Sequence, residues 1–319
     1  MKTAIIGLGV IGNVHIEILL DRGAEVVAIC DIDELKLKKF PSIKGYTDYR
    51  EMIEVEKPDV VHICTPHFLH TEMIIYALNK NVNVFCEKPL CINKQDFSKI
   101  LDAEKNSKGQ LGVCFQNRYL TKNAFVKEYL KDKKIVGATG FFAWDRTPAY
   151  YNQAKWRGTW EFEGGGVLIN QAIHTIDLLI WLLGEPDFVT ASVSNLTLKD
   201  AIEVEDSATI IASGKSNFSI LATNGNKFYI PPEITIKTDG EIIQILDDKV
   251  LIDGKEVKID ENKVFYGKPC YGMGHATIFD HYYDCIKNNK KFPIDGLEAS
   301  KAVNFVLSCY ESNGEKIKL

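Results

Sequence analysis

The chain opens on a short apolar run that leads directly into a glycine-rich turn, Lys2-Thr3-Ala4-Ile5-Ile6-Gly7-Leu8-Gly9-Val10-Ile11-Gly12. Gly7 allows a sharp turn, Gly9 lets the backbone approach a pyrophosphate, and Gly12 lets the following helix pack close to the strand. The free backbone N–H groups at the helix start, around Val10 and Ile11, would face the phosphates together with the positive end of the helix dipole. The stretch therefore predicts a dinucleotide-binding strand–turn–helix unit.

An acidic residue follows the next apolar run. The segment 26–29 is predicted to be the second strand, and Asp31 comes 19 residues after Gly12. This is about where the adenosine ribose of a dinucleotide would offer its 2′-hydroxyl. A carboxylate there repels a 2′-phosphate, so NAD is the predicted cofactor and NADP the less favoured one. Nearby lysines make this a preference only; they are Lys36, Lys38 and Lys39.

The composition excludes several classes of protein. With 319 residues, 45% hydrophobic and 25% charged, the chain suits two globular domains. Its formal net charge of −5, without a basic stripe, argues against nucleic acid as a partner. No apolar run approaches the ~20 residues that span a bilayer, so no membrane partner is expected. Met1-Lys2 leaves no room for a signal peptide before the first strand, which favours a cytoplasmic location.

The eight cysteines form no C-x-x-C pair and have no zinc-site spacing, so no metal is predicted. Four of them lie near the ends of apolar strands and are interpreted as buried thiols of a reducing compartment: Cys30, Cys64, Cys86 and Cys114.

Strand and helix patterns alternate over the first 118 residues. Val- and Ile-rich strands with helices between them predict a parallel sheet covered on both faces. With right-handed crossovers this is a doubly wound Rossmann domain, residues 1–118, whose ligands bind at the carboxyl ends of the strands. The predicted strands are 2–7, 25–30, 59–63, 82–86 and 110–115, and the predicted helices lie near 10–22, 49–56, 68–79 and 93–107.

Residues 119–319 follow a different pattern, which predicts an α+β domain on a large, mostly antiparallel sheet for substrate binding and oligomerisation. Asp239-Gly240 and Asp253-Gly254 are strong hairpin signals between short apolar runs. An exposed face of such a sheet would suit a homo-oligomer, a dimer or a tetramer. Helices are predicted near 124–130, 168–183, 274–288 and 296–312. The predicted strands are 139–144, 187–194, 207–212, 217–223, 233–238, 241–246, 249–252 and 255–259.

Two short stretches after predicted strands carry reactive side chains. Thr65-Pro66 and His70 follow the strand at 59–63 and would lie beside the nicotinamide end of a cofactor. Taken singly, His67 and His70 are more simply solvated loop histidines. Glu87-Lys88 ends the strand at 82–86, where a lysine beside the cationic ring could stabilise a developing alkoxide. A lysine after a strand is more often a solvated surface group.

The third stretch is Gly164-Gly165-Gly166 and the helix after it. The glycines permit close approach of the backbone to cofactor or substrate. Asn170, His174 and Asp177 follow i, i+4, i+7 spacing, which places them on one helical face. A histidine there could take a hydroxyl proton as hydride leaves the same carbon. Its simpler role is that of a satisfied histidine at a domain interface.

The loop before these glycines favours a polar or anionic substrate, since guanidinium groups bind carboxylate or phosphate and aromatic faces stack on sugars. An interface loop fits the same composition equally well. Arg118 is a further substrate-contact candidate. The loop residues are Arg146, Tyr150, Tyr151, Lys155, Trp156, Arg157 and Trp160.

Taken together, the motifs resemble those of the glucose–fructose oxidoreductase/inositol dehydrogenase (Gfo/Idh/MocA) family over essentially the whole chain. The motifs that carry the resemblance are Gly7-x-Gly9-x-x-Gly12, Thr65-Pro66…His70, Glu87-Lys88-Pro89, Gln116-Asn117-Arg118, Gly164-Gly165-Gly166…His174-x-x-Asp177 and Gly296-x-Glu298-Ala299-x-Lys301-Ala302-Val303.

The resemblance implies an NAD(P)-dependent oxidoreductase acting on a secondary hydroxyl of a sugar, cyclitol or sugar derivative, a class that includes uronates and nucleotide sugars. It places the family's catalytic lysine at Lys88 and its histidine at His174. Where many members have Asp, this chain has Asn170, which can orient a substrate but cannot act as a base. Asn170 followed by Gln171 looks more like the branch of UDP-N-acetylglucosaminuronate 3-dehydrogenases.

Two alternatives remain open from the sequence. One is a redox glycosidase that keeps NAD bound and uses transient oxidation to assist elimination. The other is a non-catalytic NAD- and sugar-binding regulator on the same fold. The presence of both Lys88 and His174 favours an enzyme.

Overall fold

A computed structural model describes residues 1–260, 264–268 and 272–319. The chain forms two compact units. The first comprises Met1–Gln116 and Lys263–Ser300, and the second comprises Asn117–Asn262 and Lys301–Leu319.

The first unit is built on a six-stranded parallel sheet in the order β3-β2-β1-β4-β5-β6, which is the doubly wound Rossmann arrangement. The predicted fold class of this unit is thus confirmed. Its strands are β1 (Lys2–Ile6), β2 (Glu25–Cys30), β3 (Lys44–Tyr46), β4 (Val60–Ile63), β5 (Asn83–Glu87) and β6 (Leu111–Cys114).

One strand of the first unit was not predicted. β3 is a three-residue edge strand of which only Tyr46 is buried, so it lacks the apolar run that marks the other five.

Helices connect these strands. α4 follows a 3₁₀ turn at His67–Leu69. The helices of the first unit are α1 (Val10–Asp21), α2 (Glu34–Leu37), α3 (Tyr49–Glu56), α4 (His70–Asn79), α5 (Gln95–Asn106) and, late in the chain, α9 (Gly274–Lys287). The last helix, α10 (Gly296–Ser312), runs through the boundary after Ser300.

The chain returns to the first unit late, at residues 263–300, whereas the sequence predicts a single boundary between the two units after residue 118. Tyr282 of α9 explains it, because its hydroxyl lies 2.9 Å from the carbonyl oxygen of Val84 and 2.8 Å from that of Gln110. The Val113 N–H also donates to the Ile294 carbonyl at 3.0 Å. These long-range contacts join α9 and the segment after it to β5 and β6, and local sequence patterns do not reveal them.

The second unit is built on a nine-stranded sheet in the order β14-β13-β12-β11-β7-β10-β9-β8-β15, antiparallel except for the pair β7–β10. This confirms the predicted α+β class. Its strands are β7 (Ile135–Asp145), β8 (Phe188–Ser194), β9 (Ser207–Ser213), β10 (Phe218–Thr223), β11 (Gly225–Thr238), β12 (Ile242–Ile245), β13 (Val250–Ile252), β14 (Lys255–Val257) and β15 (Ile317–Lys318). Its other elements are α6 (Thr121–Tyr129), α7 (Pro148–Tyr151), a π-helical turn (Leu168–Ala172) and α8 (Ile173–Leu183).

The predicted hairpins are present. Asp253 and Gly254 both have positive φ, at 49° and 74°, as a tight hairpin turn requires, and they join the antiparallel strands β13 and β14. β11 begins earlier than predicted. Its first half was missed because Pro231-Pro232 is not typical of a strand. There the ladder to β7 shifts register between Ile230 and Glu233, which is how a strand accommodates proline.

No helix within the described ranges is long and apolar enough to cross a membrane. The seven described cysteines are free and buried, so Cys30, Cys64, Cys86 and Cys114 are buried thiols as predicted. Burial raises the pKa of the Cys30 thiol to about 12, with the charge of Asp31 adding to the effect. Cys270, the eighth, lies outside the described residues.

Candidate active site

The glycine turn has the geometry that its sequence predicts. Gly7 has φ +93°, and a Cβ there would lie 2.7 Å from the Cys64 carbonyl oxygen. A Cβ on Gly12 would lie 1.9 Å from the Gly7 carbonyl oxygen, so neither position tolerates a side chain. A Cβ on Gly9, in contrast, would meet nothing within 4 Å. Gly9 therefore borders open space at the start of α1, where it serves as the N-cap without a side-chain cap.

Asp31 lies at the carboxyl end of β2 and is 7% exposed. Its Oδ2 accepts the Leu8 N–H at 2.7 Å, and its Oδ1 accepts the Asp33 N–H at 2.9 Å. The Lys36 ammonium lies 3.1 Å from Oδ2. The carboxylate is thus fixed against the glycine turn, and one of the three suspected lysines is its ion-pair partner.

The segment after β4 contains two histidines that are less exposed than the sequence predicts. Thr65 and Pro66 are partly exposed, but His67 and His70 are buried, so the interpretation of both histidines as solvated is wrong. The His70 ring nitrogens lie 2.7 Å from the Pro89 carbonyl oxygen and 3.0 Å from that of Thr65. Burial lowers the pKa of His70. His70 thereby links the Thr65-Pro66 turn to the residues that follow Lys88.

Glu87 ends β5 and Lys88 follows it, partly exposed, with a cis peptide bond to Pro89. Burial opposes ionisation of the Glu87 carboxyl. Its hydrogen bond to His15 and the nearby charges of His15, His275 and Lys88 nevertheless hold the pKa of Glu87 well below its ordinary range. Since β1 and β5 are parallel and separated only by β4, Lys88 and the glycine turn share the carboxyl edge of the sheet. At ~4.8 Å per strand, the two strands lie roughly 10 Å apart.

The second unit holds the glycine triplet in place. A Cβ on Gly165 would lie 2.1 Å from the Tyr310 hydroxyl, and one on Gly166 would lie 1.9 Å from the Glu205 carbonyl oxygen. The close approach at these glycines is therefore to the chain's own groups. The buried Glu205 carboxylate accepts N–H groups of Gly166 at 2.8 Å and Leu168 at 2.9 Å, and the Tyr310 hydroxyl at 3.0 Å.

Asn170 and His174 are both partly exposed, on the π-helical turn and on α8 respectively. The Asn170 amide nitrogen donates to Glu163 Oε1, while Glu163 Oε2 accepts the Gly158 N–H. Glu163 is fully buried and was not identified from the sequence. It places a carboxylate beside the Asn170 amide.

Arg118 and Asp177 bind each other. Arg118 Nε and Nη2 donate to the two Asp177 carboxylate oxygens at 2.9 and 2.6 Å, and both residues are buried. The Arg118 guanidinium also lies 5.7 Å from the Trp181 ring centroid. Asp177 thus has a different environment from Asn170 and His174, because it is buried in its ion pair with Arg118 while the other two are partly exposed. A substrate contact for either residue stays a prediction.

The aromatic loop forms a ladder of alternating rings and guanidinium groups. Arg146 lies 4.7 Å from the Trp144 ring centroid and 4.4 Å from that of Tyr150. Arg157 lies 4.6 Å from the centroids of both Tyr150 and Trp156, and its Nη1 donates to the Tyr150 hydroxyl. The rings hold two partly exposed cations side by side in the second unit.

The residues of the first unit fit a dinucleotide. The open space at Gly9, the uncapped start of α1 at Val10 and Ile11, and the fixed carboxylate of Asp31 match the pyrophosphate and ribose ends of NAD. Lys88 lies in the first unit and His174 in the second, so their convergence stays a prediction, as do the individual roles of the site residues.

Comparison with protein families matches both halves of the chain to one family. Residues 1–115 match the oxidoreductase family model described as an NAD-binding Rossmann fold, and residues 133–237 match the Gfo/Idh/MocA C-terminal domain. The chain belongs to the Gfo/Idh/MocA family. The first unit of this Gfo/Idh/MocA protein is accordingly an NAD-binding Rossmann fold.

Two curated relatives show the breadth of the likeness. Inositol 2-dehydrogenase of Salmonella typhimurium (strain LT2) is 32% identical over 205 residues, which are 60% of this chain and 57% of the relative. Myo-inositol 2-dehydrogenase of Thermotoga maritima is 30% identical over 190 residues, 58% of this chain and 55% of the relative. The chain thus spans little more than half the length of the curated relatives it matches.

Among solved structures, the WlbA dehydrogenase from Bordetella pertussis, in complex with NADH and UDP-GlcNAcA, is similar over all of this chain and 97% of that one. Its TM-score is 0.89 and its sequence identity 25%. The likeness extends through both units of this Gfo/Idh/MocA protein.

Proposed function

We propose that the protein is an NAD-dependent oxidoreductase acting on a secondary hydroxyl of a sugar, cyclitol or sugar derivative. The observation that carries the proposal is that Lys88 and the glycine turn lie at one edge of the parallel sheet in an NAD-binding fold. The cofactor, when bound, accepts or returns the hydride. The redox partner is then a carbon bearing a hydroxyl, as the family membership supports.

Three side chains divide the remaining work. Lys88 polarises the reacting oxygen and stabilises negative charge on it. His174 exchanges the hydroxyl proton, and Asn170, held through its amide by Glu163, orients the sugar. Because Asn170 cannot ionise, proton exchange rests on the lysine and the histidine.

We further propose that the substrate carries negative charge, as a uronate or a nucleotide sugar does. In the ladder, the Arg146 and Arg157 guanidinium groups lie 4.4 and 4.6 Å from the Tyr150 ring centroid, so forks for carboxylate or phosphate stand beside faces that stack on a sugar or base. The UDP-GlcNAcA bound by the similar WlbA structure has this chemistry.

We propose that the protein forms a homo-oligomer in which copies of the chain associate through the nine-stranded sheet. Large apolar side chains stand exposed on several strands of that sheet, and a second copy of the chain is the natural cover for them. They include Phe228 and Tyr229 of β11, Ile211 of β9 and Leu221 of β10. The free, buried cysteines suit a reducing compartment, so the cytoplasm is the proposed location.

The test measures NAD⁺ reduction against inositols, free hexoses, uronates and nucleotide sugars, followed by variants on the substrate that reacts. Lys88→Ala should abolish turnover while NAD affinity stays near wild type, and His174→Ala should lower kcat by ~10²-fold or more. Lys99→Ala, at an exposed lysine of α5, is the matched control and should change neither. Turnover within a few fold of wild type in Lys88→Ala would refute the assigned role.

A further inference from the structure

A continuous line of polar side chains crosses the interior of the first unit. Glu87 Oε1 lies 3.0 Å from His15 Nε2, His15 Nδ1 lies 2.9 Å from His62 Nδ1, and His62 Nε2 lies 3.0 Å from the Tyr283 hydroxyl. His15 and His62 have no solvent exposure, and Glu87 is 6% exposed. Every link of the line is within hydrogen-bond distance.

The two ends of the line lie at opposite edges of the sheet. Glu87 is the last residue of β5, at the carboxyl edge beside Lys88. The Tyr283 hydroxyl lies 2.8 Å from Thr3 Oγ1, near the start of β1 at the amino edge. Tyr283 also lines a cavity of about 530 Å³ with charged walls, which include Arg22, Glu25, Asp280, Asp284 and Lys287. The charged lining makes this cavity a place for water.

The surroundings of the line are aromatic. Phe279 lies 4.6 Å from His15 and 5.0 Å from His62 between ring centroids, and Phe85 lies 5.2 Å from His62. Polar rings are costly in such a setting unless their nitrogens are hydrogen-bonded. Burial lowers the pKa of His62 well below its ordinary value, with the neighbouring His15 adding to the effect. A neutral imidazole donates from one nitrogen and accepts at the other, as each member of a proton relay must.

We propose that Glu87, His15, His62 and Tyr283 conduct protons between Lys88 and the cavity at the opposite edge of the sheet. The inference rests on the proposed function, since interconverting a hydroxyl and a carbonyl releases or consumes one proton with each hydride. Lys88 exchanges that proton at the reacting oxygen, and the line carries it to or from water.

For carbonyl reduction the transfers balance at every atom. A cavity water gives a proton to the Tyr283 oxygen and becomes hydroxide, as the Tyr283 proton passes to His62 Nε2. The Nδ1–H bond of His62 breaks as one forms at His15 Nδ1, and the Nε2–H bond of His15 breaks as Glu87 gains an O–H. Glu87 passes a proton on to the neutral amine of Lys88 in the same step, so its carboxylate is ionised before and after the transfer. Alcohol oxidation follows the reverse order, and no further oxidant or reductant takes part.

Two cysteines beside the line, Cys64 and Cys114, suggest other roles for its side chains than conducting protons. Cys64 Sγ lies 3.2 Å from His15 Nδ1 and competes for that nitrogen as a thiol, because burial raises its pKa well above the ordinary value. His15, Glu87 and Cys114 also offer ligand atoms within 4.8 Å of one another, a set that zinc could take. A metal on His15 Nε2 would block the relay, so metal content belongs in the test.

The test follows exchange of the imidazole N–H protons of His15 and His62 after transfer of the NAD-bound, ¹⁵N-histidine-labelled protein into D₂O. In wild type these protons should exchange at least ~10-fold faster than in Tyr283→Phe, while backbone amides of the same strand and helix stay equally protected in both. Tyr282→Phe is the matched control, because its hydroxyl bonds to backbone carbonyls outside the line. It should leave imidazole exchange at the wild-type rate.

Equal imidazole exchange in wild type and Tyr283→Phe, or one equivalent of bound zinc per chain, would overturn the proposal. The exchange measurement needs no turnover, so its failure can be distinguished from a failure of the proposed function, which the Lys88→Ala variant tests. In turnover, Tyr283→Phe should raise the solvent deuterium isotope effect on kcat with KM unchanged. An unchanged isotope effect would separate the line from catalysis and would equally overturn the proposal.

Discussion

At the scale of single residues, Asp31 combines two tasks in one carboxylate. It ties the glycine turn to β2 through the Leu8 N–H, and we propose that it presents negative charge to the ribose of a dinucleotide. Its ion pair with Lys36 neutralises part of that charge. A cation suited to a phosphate is therefore already in place, bound to the group that would repel the phosphate.

Replacing Asp31 by Asn should reverse the cofactor preference. The neutral side chain removes the repulsion and frees the Lys36 ammonium for a 2′-phosphate. A hydrogen bond to a charged group is worth ~1.5–3 kcal/mol, so NADP⁺ affinity should rise by roughly 10- to 100-fold while NAD⁺ affinity falls. Fluorescence titration with both cofactors measures the change. Adding Lys36→Ala to Asp31→Asn should remove the gain, and a double variant that still prefers NADP⁺ would contradict this account.

The sequence predicted residues whose role follows from local backbone geometry, and it missed those whose role depends on distant partners. Gly7, Gly9 and Gly12 behave as their spacing indicates. The burial of His70 depends on the Pro89 carbonyl, 19 residues away, and Glu163 is recognisable only from its contact with Asn170. Spacing along one chain does not contain such information.

At the scale of elements, Glu205 fastens the glycine triplet and the start of the π-turn to Tyr310 of α10. Burial raises the pKa of the Glu205 carboxyl from 4.5 to about 7, although its N–H and hydroxyl partners oppose the shift. The native state therefore holds this proton more tightly than the unfolded chain does. The stabilisation is complete below about pH 4.5 and is lost as the pH rises through about 7.

The corresponding prediction compares wild type with Glu205→Gln, which does not titrate. Between pH 5 and pH 8 the unfolding free energy of wild type should fall relative to that of the variant by up to about 3 kcal/mol, at 1.36 kcal/mol per pKa unit. Urea unfolding at a series of pH values measures the difference. Parallel stability curves for the two proteins would show that Glu205 ionises at its ordinary pKa.

Elements with strong apolar periodicity or turn signals were predictable, and short or proline-containing ones were not. The β13–β14 hairpin follows from Asp253-Gly254, because only a few residues tolerate the positive φ that the turn needs. β3 and the first half of β11 lack any such local signal. The π-turn at Leu168–Ala172 is also invisible in the sequence, since it differs from an α-helix only in its hydrogen bonding.

At the scale of the whole molecule, the exposed apolar side chains of the nine-stranded sheet give the proposed assembly a direct test. Phe228 is 75% exposed on β11. Phe228→Asp places a charge where a second copy would bury an aromatic ring, so the variant should be a monomer under conditions in which wild type is a dimer or tetramer. Light scattering after size-exclusion chromatography gives the mass. Lys237→Asp, also on β11, is the control for added charge at an exposed position.

A Phe228→Asp variant with the oligomeric mass of wild type would show that the contact between copies lies elsewhere.

The class of both units followed from the sequence because alternating strands and helices, and later paired strands, each have a local signature. The assignment of 263–300 did not, since it depends on contacts such as Tyr282 to Val84 across nearly 200 residues.

That late return of the chain sets an order for folding during synthesis. β6 and the helices around it leave the ribosome long before α9 does, yet the Tyr282 ring occupies the space that Gly112 leaves open beside Phe85. Until residue 300 has been made, this part of the nucleotide-binding unit has an uncovered aromatic surface. A fragment cut after residue 118 would keep that surface permanently, and would be expected to need a chaperone or to aggregate.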